Sequence, residues 1–127
     1  MHSGFDERAF VEDYIHAFEA LDGHRVAQFY NVPCISVRAD GSTHGFIQRS
    51  DIESFFTSVL ENYAKEGMTT FSASAISVEH IGSASCRFSC SWSMKRTCGS
   101  VIRDWHQTYV FQKSEDGWKI VASIFHL

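Results

Sequence analysis

The period of the apolar residues changes once along this chain, at Gly67, and that change constrains the fold more than any other feature. Before it, large apolar side chains recur at helical spacing; after it, they alternate. Residues 83–95 alternate almost without a fault. Ala84, Cys86, Phe88, Cys90, Trp92 and Met94 share one face, and Ser85, Arg87, Ser89, Ser91 and Ser93 share the other. A strand of this kind covers one face with protein and leaves the other polar. Residues 69–81, 100–113 and 118–127 read as three more strands, joined by short turns such as Asp116-Gly117. In residues 69–81 the apolar phase slips between Ala75 and Ile76, which predicts a bulge or bend there.

The first half is helical apart from one hairpin. Residues 6–21 carry Phe10, Tyr14, Ala17, Phe18 and Leu21 on one stripe, with Ser3 and Asp6 at capping-box spacing and Gly23 as the stop. Residues 24–30 read as a short second helix ended by Pro33. Residues 34–39 and 43–47 flank the turn signal Asp40-Gly41. Ser50 and Glu53 then form an S-x-x-E box ahead of Ile52, Phe55, Phe56, Val59, Leu60 and Tyr63. Helices segregated from consecutive strands give an α+β fold: a curved, mostly antiparallel sheet with three helices packed on one face.

Composition sets the outer limits. A length of 127 residues fits one domain spanning the whole chain. A net charge of −4 argues against a general nucleic-acid binder, which needs a basic face. No stretch approaches the ~20 apolar residues of a membrane helix, and the N-terminal residues lack the pattern of a signal peptide. Cys86 and Cys90 lie on one strand about 13 Å apart, beyond the roughly 7 Å limit of a disulfide. No C-x-x-C, H-x-H or H-x-x-x-H occurs, so neither a metal nor a cofactor is expected. Reduced thiols suit a cytoplasmic protein. The surplus is in rings: eleven Phe, four Tyr and three Trp. Rings in that number suit a core, an interface or an apolar pocket.

Three features together resemble the nuclear transport factor 2-like superfamily, in its SnoaL-like branch, with its cystatin-like fold. They are the order of elements, the hairpin Arg38-Ala39-Asp40-Gly41-Ser42 leading into Ser50-Asp51-Ile52-Glu53-Ser54-Phe55-Phe56, and the closing Tyr109-Val110-Phe111 and Asp116-Gly117-Trp118-Lys119-Ile120-Val121. The resemblance implies a cone, a curved sheet around three helices, with an apolar pocket at its open end. Relatives include ketosteroid isomerase, scytalone dehydratase, limonene epoxide hydrolase, polyketide cyclases and noncatalytic binding or assembly proteins. Many are homodimers that pack sheet against sheet.

Alternation selects the side chains that enter the cone: Cys90 and Trp92 on one strand, Trp105, Gln107 and Tyr109 on the next, and Ala122, Ile124 and His126 on the last. Helical spacing adds Tyr14, Phe18, Phe55 and Val59. The polar members carry the chemistry. His126 is a candidate acid or base, because imidazole titrates near neutral pH. Tyr14 and Tyr109 are candidate donors to a developing oxyanion. Each also reads plainly, as a terminal histidine in water or as core rings with their hydroxyls at a pocket edge. The acids of the ketosteroid isomerase pattern are missing: the matching positions fall near Ala39 and at Gln107. Arg103 and Asp104 are neighbours on one strand and point to opposite faces, so the cluster of limonene epoxide hydrolase is not evident either. Asp104 and His106 share the polar outer face and read as a surface or interface pair.

Two function classes follow. One is a cofactor-free isomerase, dehydratase or cyclase acting on a small apolar molecule. The other is a noncatalytic ligand-binding or dimeric assembly domain. Phe125 and Leu127 opposite Ile124 leave the last strand apolar on both faces, which predicts a homodimer through the outer sheet face.

Overall fold

The computed structural model describes residues 4–126. Ser3 and Leu127, which entered the expected capping box and the expected apolar strand end, lie outside the described residues. Helix α1 (Glu7–Glu19) is capped by Asp6, whose carboxylate accepts from the Ala9 amide at 3.0 Å. Its stripe of Phe10, Tyr14, Ala17 and Phe18 is buried. The helix is stopped by Leu21 at φ 56°, not by Gly23. Gly23 opens α2 (Gly23–Ala27), with Asp22 capping through the Arg25 amide at 3.1 Å. A Cβ on Gly23 would lie 2.7 Å from the Thr57 nitrogen, so its missing side chain sets how closely α2 approaches the next long helix.

Strand β1 (Tyr30–Val37) starts four residues earlier than the spacing suggests. It runs parallel to the last strand, with a register shift between Tyr30 and Ile35 that accommodates Pro33, a residue without an amide donor. Strand β2 (Thr43–Phe46) returns antiparallel beside it. Helix α3 (Arg49–Lys65) begins one residue ahead of Ser50, and its cap, Gln48, makes no side-chain cap bond. The expected S-x-x-E box does not form, and its glutamate is drawn elsewhere. Glu53 meets the His24 Nδ1 at 2.9 Å. Arg49 donates to the carbonyls of Ala27 and Tyr30 at 2.6 and 2.9 Å, tying the helix start to the α2–β1 junction.

Strands β3 (Thr70–Ile81), β4 (Ser85–Lys95), β5 (Val101–Ser114) and β6 (Gly117–His126) form an antiparallel meander. The six-stranded sheet has the order β2-β1-β6-β5-β4-β3 and is antiparallel except where β1 meets β6. The expected bulge in β3 is present: the register shifts between Ser74 and Ser77, and Ala75 takes φ 53°. On β4 all of Cys86, Phe88, Cys90, Trp92 and Met94 are buried, as their alternation requires.

A second shift was not legible. Val110 pairs with Ala122 but Phe111 pairs with Ile120, so Val121 is an extra residue on β6. Beyond it, the faces exchange. Ser123 and Phe125 pair with the inward Tyr109 and Gln107, while Ile124 and His126 pair with the outward Thr108 and His106. Ala122, Ile124 and His126 therefore face away from the helices, which corrects the inward placement that unbroken alternation gives them.

The core is aromatic. Phe71 stacks on Trp92 with centroids 4.7 Å apart, and Phe18 stacks on Phe71 at 4.7 Å. Phe10 meets Phe88 at 5.2 Å and Phe111 at 4.8 Å, edge to face in both cases. These contacts seat α1 on the inner face of β3, β4 and β5. No helix among the described residues is long and apolar enough to cross a membrane.

Candidate functional site

A cavity of about 220 Å³ opens between the inner sheet face and helices α1 and α3. Two helices and the sheet supply its apolar wall. Phe18 comes from α1; Ile52, Phe55, Phe56 and Val59 come from one stripe of α3; Phe46, Phe71, Trp105 and Phe125 come from the sheet. Helical spacing on α3 and alternation on β5 are what aim these side chains at one volume.

At its buried end the cavity meets a chain of hydroxyls. Tyr14 and Tyr30 share a hydrogen bond of 2.7 Å between their oxygens. Trp92 Nε1 donates to the Tyr109 hydroxyl at 2.9 Å. A second chain runs across β5 and β6. Trp105 Nε1 donates to Gln107 Oε1 at 2.8 Å, and Gln107 Nε2 donates to Ser123 Oγ at 2.5 Å. Among the described residues no buried side-chain nitrogen or oxygen lacks a partner. The network thus fixes the rotamers of the polar wall before any ligand arrives.

Burial keeps these groups neutral. It pushes the hydroxyls of Tyr14, Tyr30 and Tyr109 well above the usual phenol range. It also pushes the Cys34 thiol up to about 11, against a partial lowering by Arg49, and the Cys90 thiol up to about 12. Desolvation penalises the charged form of every such acid. The residues of the wall include no carboxylate and no imidazole. The wall can donate hydrogen bonds, but it holds no group poised to take up a proton near neutral pH.

The mouth is different in character. Two arginines stand there. Arg38 lies over the Phe55 ring with 5.9 Å from its guanidinium carbon to the centroid. Arg103 lies over Tyr63 at 6.0 Å and is held by Glu66 at 2.7 Å.

The structure brings together Tyr14, Phe18, Phe55, Val59, Trp105, Gln107 and Tyr109 from the sequence-derived set. Cys90 and Trp92 face inward but lie behind the wall, where Trp92 positions Tyr109. Ala122, Ile124 and His126 are on the outer face. There His126 Nε2 meets Thr108 Oγ1 at 2.7 Å, and His106 Nδ1 meets Ser91 Oγ at 3.0 Å. The two imidazoles are 4.7 Å apart, and Asp104 shares their face. Sequence reasoning missed Ser123 and Phe125, which the β6 bulge turns inward. It also missed Arg38 and Arg103 as wall residues. Arg103 had a signal, since it alternates in phase with Trp105, Gln107 and Tyr109.

Residues 6–127 match the family described as NTF2-like protein (DUF6841). The chain belongs to this NTF2-like family. Solved structures share the fold of the NTF2-like chain at low identity. An NTF2-like protein with a cystatin-like fold from Novosphingobium aromaticivorans is 14% identical, with a TM-score of 0.76 over 94% of this chain and 78% of that one. A domain of unknown function with a cystatin-like fold from Nostoc punctiforme is 19% identical, with a TM-score of 0.76 over 94% and 73%. An NTF2-like protein of unknown function from Shewanella oneidensis is 16% identical, with a TM-score of 0.73 over 94% and 95%. A search of curated proteins finds none that matches. Among the described residues of the NTF2-like chain, no group of three or more His, Cys, Asp or Glu is placed to hold a metal ion.

Proposed function

We propose that the cone binds one small, largely apolar molecule and leaves it chemically unchanged. The observation that carries this reading is the wall itself. It joins a packed set of rings to neutral, pre-oriented hydrogen-bond donors, with neither carboxylate nor imidazole among its residues. Size narrows the ligand. An apolar cavity of about 150 Å³ accommodates benzene. A volume of about 220 Å³ therefore suits one ring with a short substituent, and is small for a fused multi-ring compound.

The test is a screen of single-ring compounds by protein-observed NMR. Binding is expected to shift signals of Tyr14, Gln107 and Phe55. Val59→Trp, which fills the cavity, should abolish binding while the protein stays folded. Recovery of the compound after prolonged incubation separates binder from enzyme. Unchanged compound supports this reading. Conversion that Tyr14→Phe suppresses would overturn it in favour of a cofactor-free acid–base enzyme.

A homodimer through the outer sheet face is the second part of the proposal. Ile124 keeps 36% of its surface exposed there, beside Ala122 and the paired His106 and His126. Four free cysteines support a reducing, cytoplasmic location.

A further inference from the structure

We propose that the ligand of this cavity is a single-ring carboxylate, inserted ring first, with its carboxylate held at the mouth by Arg38. The inference rests on the reading of the cavity as a binding pocket and names the chemical class it takes.

The two ends of the cavity differ in what they tolerate. The inner end is fully buried, and its Tyr14, Tyr30 and Tyr109 hydroxyls are already engaged with one another or with Trp92. An anion there would lose its water to a buried end lined by rings and neutral hydroxyls, with no cation to meet it. A ring has no such penalty and meets Phe18, Phe56 and Phe71. Any charge on the ligand therefore belongs at the mouth.

The two arginines at the mouth are not equivalent. Phe55 and Tyr63, the rings beneath them, are eight residues apart on α3 and hence roughly 12 Å apart along its axis. The two guanidinium groups thus rest on different rings. Arg103 is already paired with Glu66 at 2.7 Å. Arg38 has no ion-pair partner among the described residues. The nearby acid in its own turn, Asp40, turns its Oδ1 to the Ser42 amide at 2.9 Å and the Ser42 hydroxyl at 2.7 Å, and feels the Arg38 charge without closing an ion pair with it. The backbone around Arg38 is fixed, since its amide donates to the Ser42 carbonyl at 2.8 Å and its carbonyl accepts from the Gly41 amide at 2.9 Å. A guanidinium resting on the Phe55 ring presents its remaining donors as a planar fork, which matches a carboxylate in two parallel hydrogen bonds.

Benzoate and its neutral isostere benzamide test this, with affinities read by NMR titration of the whole chain. Benzoate is expected to bind about tenfold or more tightly, as a charge-assisted pair predicts. Arg38→Met should bring the ratio of the two affinities to about one, chiefly by weakening benzoate. Arg38→Gln should do the same, and Arg103→Met should leave the ratio intact. Arg38 is exposed, so both variants keep the fold, which the dispersion of the amide spectrum verifies. Equal binding of the two compounds overturns the inference but leaves the pocket standing. A preference for benzoate that survives Arg38→Met, or vanishes with Arg103→Met, also overturns it. Failure of both compounds to bind removes the pocket reading and this inference with it.

Discussion

Tyr14, Tyr30 and Tyr109 are each raised in the fold by burial, and so are the thiols of Cys34, Cys86 and Cys90. That has a consequence for stability in alkali. Below the ordinary thiol and phenol values of 9.0 and 10.0, these groups are protonated in both the folded and unfolded chain. Above them the unfolded chain releases protons that the fold retains, so fewer protons are bound unfolded and stability falls with rising pH. The urea midpoint should be unaffected by these groups up to about pH 8. It should decline from about pH 9 and keep falling through the folded values. A midpoint that is level to pH 11 would contradict the neutral, desolvated wall. Tyr14 was legible from helical spacing and Tyr109 from alternation. Tyr30 was legible as a buried residue at the end of the second short helix, but it opens β1 instead, ahead of Pro33, where the spacing gives no strand.

At the scale of elements, two positions carry backbone constraints that substitution can test. Gly23 lets α2 lie against α3, and a methyl group there would meet the Thr57 backbone at 2.7 Å. Gly23→Ala should lower stability by about 1–3 kcal/mol in a urea titration, since backbone must move to admit it. Ala75 holds φ 53° in the β3 bulge, a conformation that glycine adopts without penalty. Ala75→Gly should raise stability by about 0.5–1 kcal/mol, measured the same way. The contrast between the two bulges explains which elements could be read. The β3 bulge leaves a trace, because the apolar phase slips visibly at Ala75 and Ile76. The β6 bulge leaves none: Ile120, Ala122 and Ile124 continue an apolar alternation straight through it, and only pairing with β5 shows that Val121 is extra. His126 is on the outer face for that reason alone. The capping box at Ser50 failed for a different reason, since local pattern cannot register the long-range pull of His24 on Glu53.

For the whole molecule, the outer sheet face remains the surface to test. It carries Ser91, His106, Thr108, Ala122, Ile124 and His126 side by side across β4, β5 and β6. A closed pair of sheets would cover Ile124 in both copies at once, as a two-fold interface requires. Light scattering at micromolar concentration should give twice the 14.4 kDa chain mass, and Ile124→Lys should return it to one. A species of chain mass in the unmodified protein would remove the dimer. The cavity sits on the opposite face of the same sheet. Binding and association are therefore expected to be separable, with Ile124→Lys leaving benzoate affinity unchanged.

The switch of period at Gly67 was enough to fix the class of fold, the segregation of helices from strands and the inward face of β4, because each depends only on which neighbours along the chain share a side. Most of the ring wall followed from the same local rule. The identity of the site did not. Which face β6 presents beyond Val121, and which of two arginines has an ion-pair partner, depend on cross-strand register and on partners distant in sequence, as the Glu66–Arg103 and Gln28–Lys119 contacts illustrate at 37 and 91 residues. Tertiary structure decides such matters because a hydrogen bond or an ion pair responds to distance in space, whereas a periodic pattern responds only to distance along the chain.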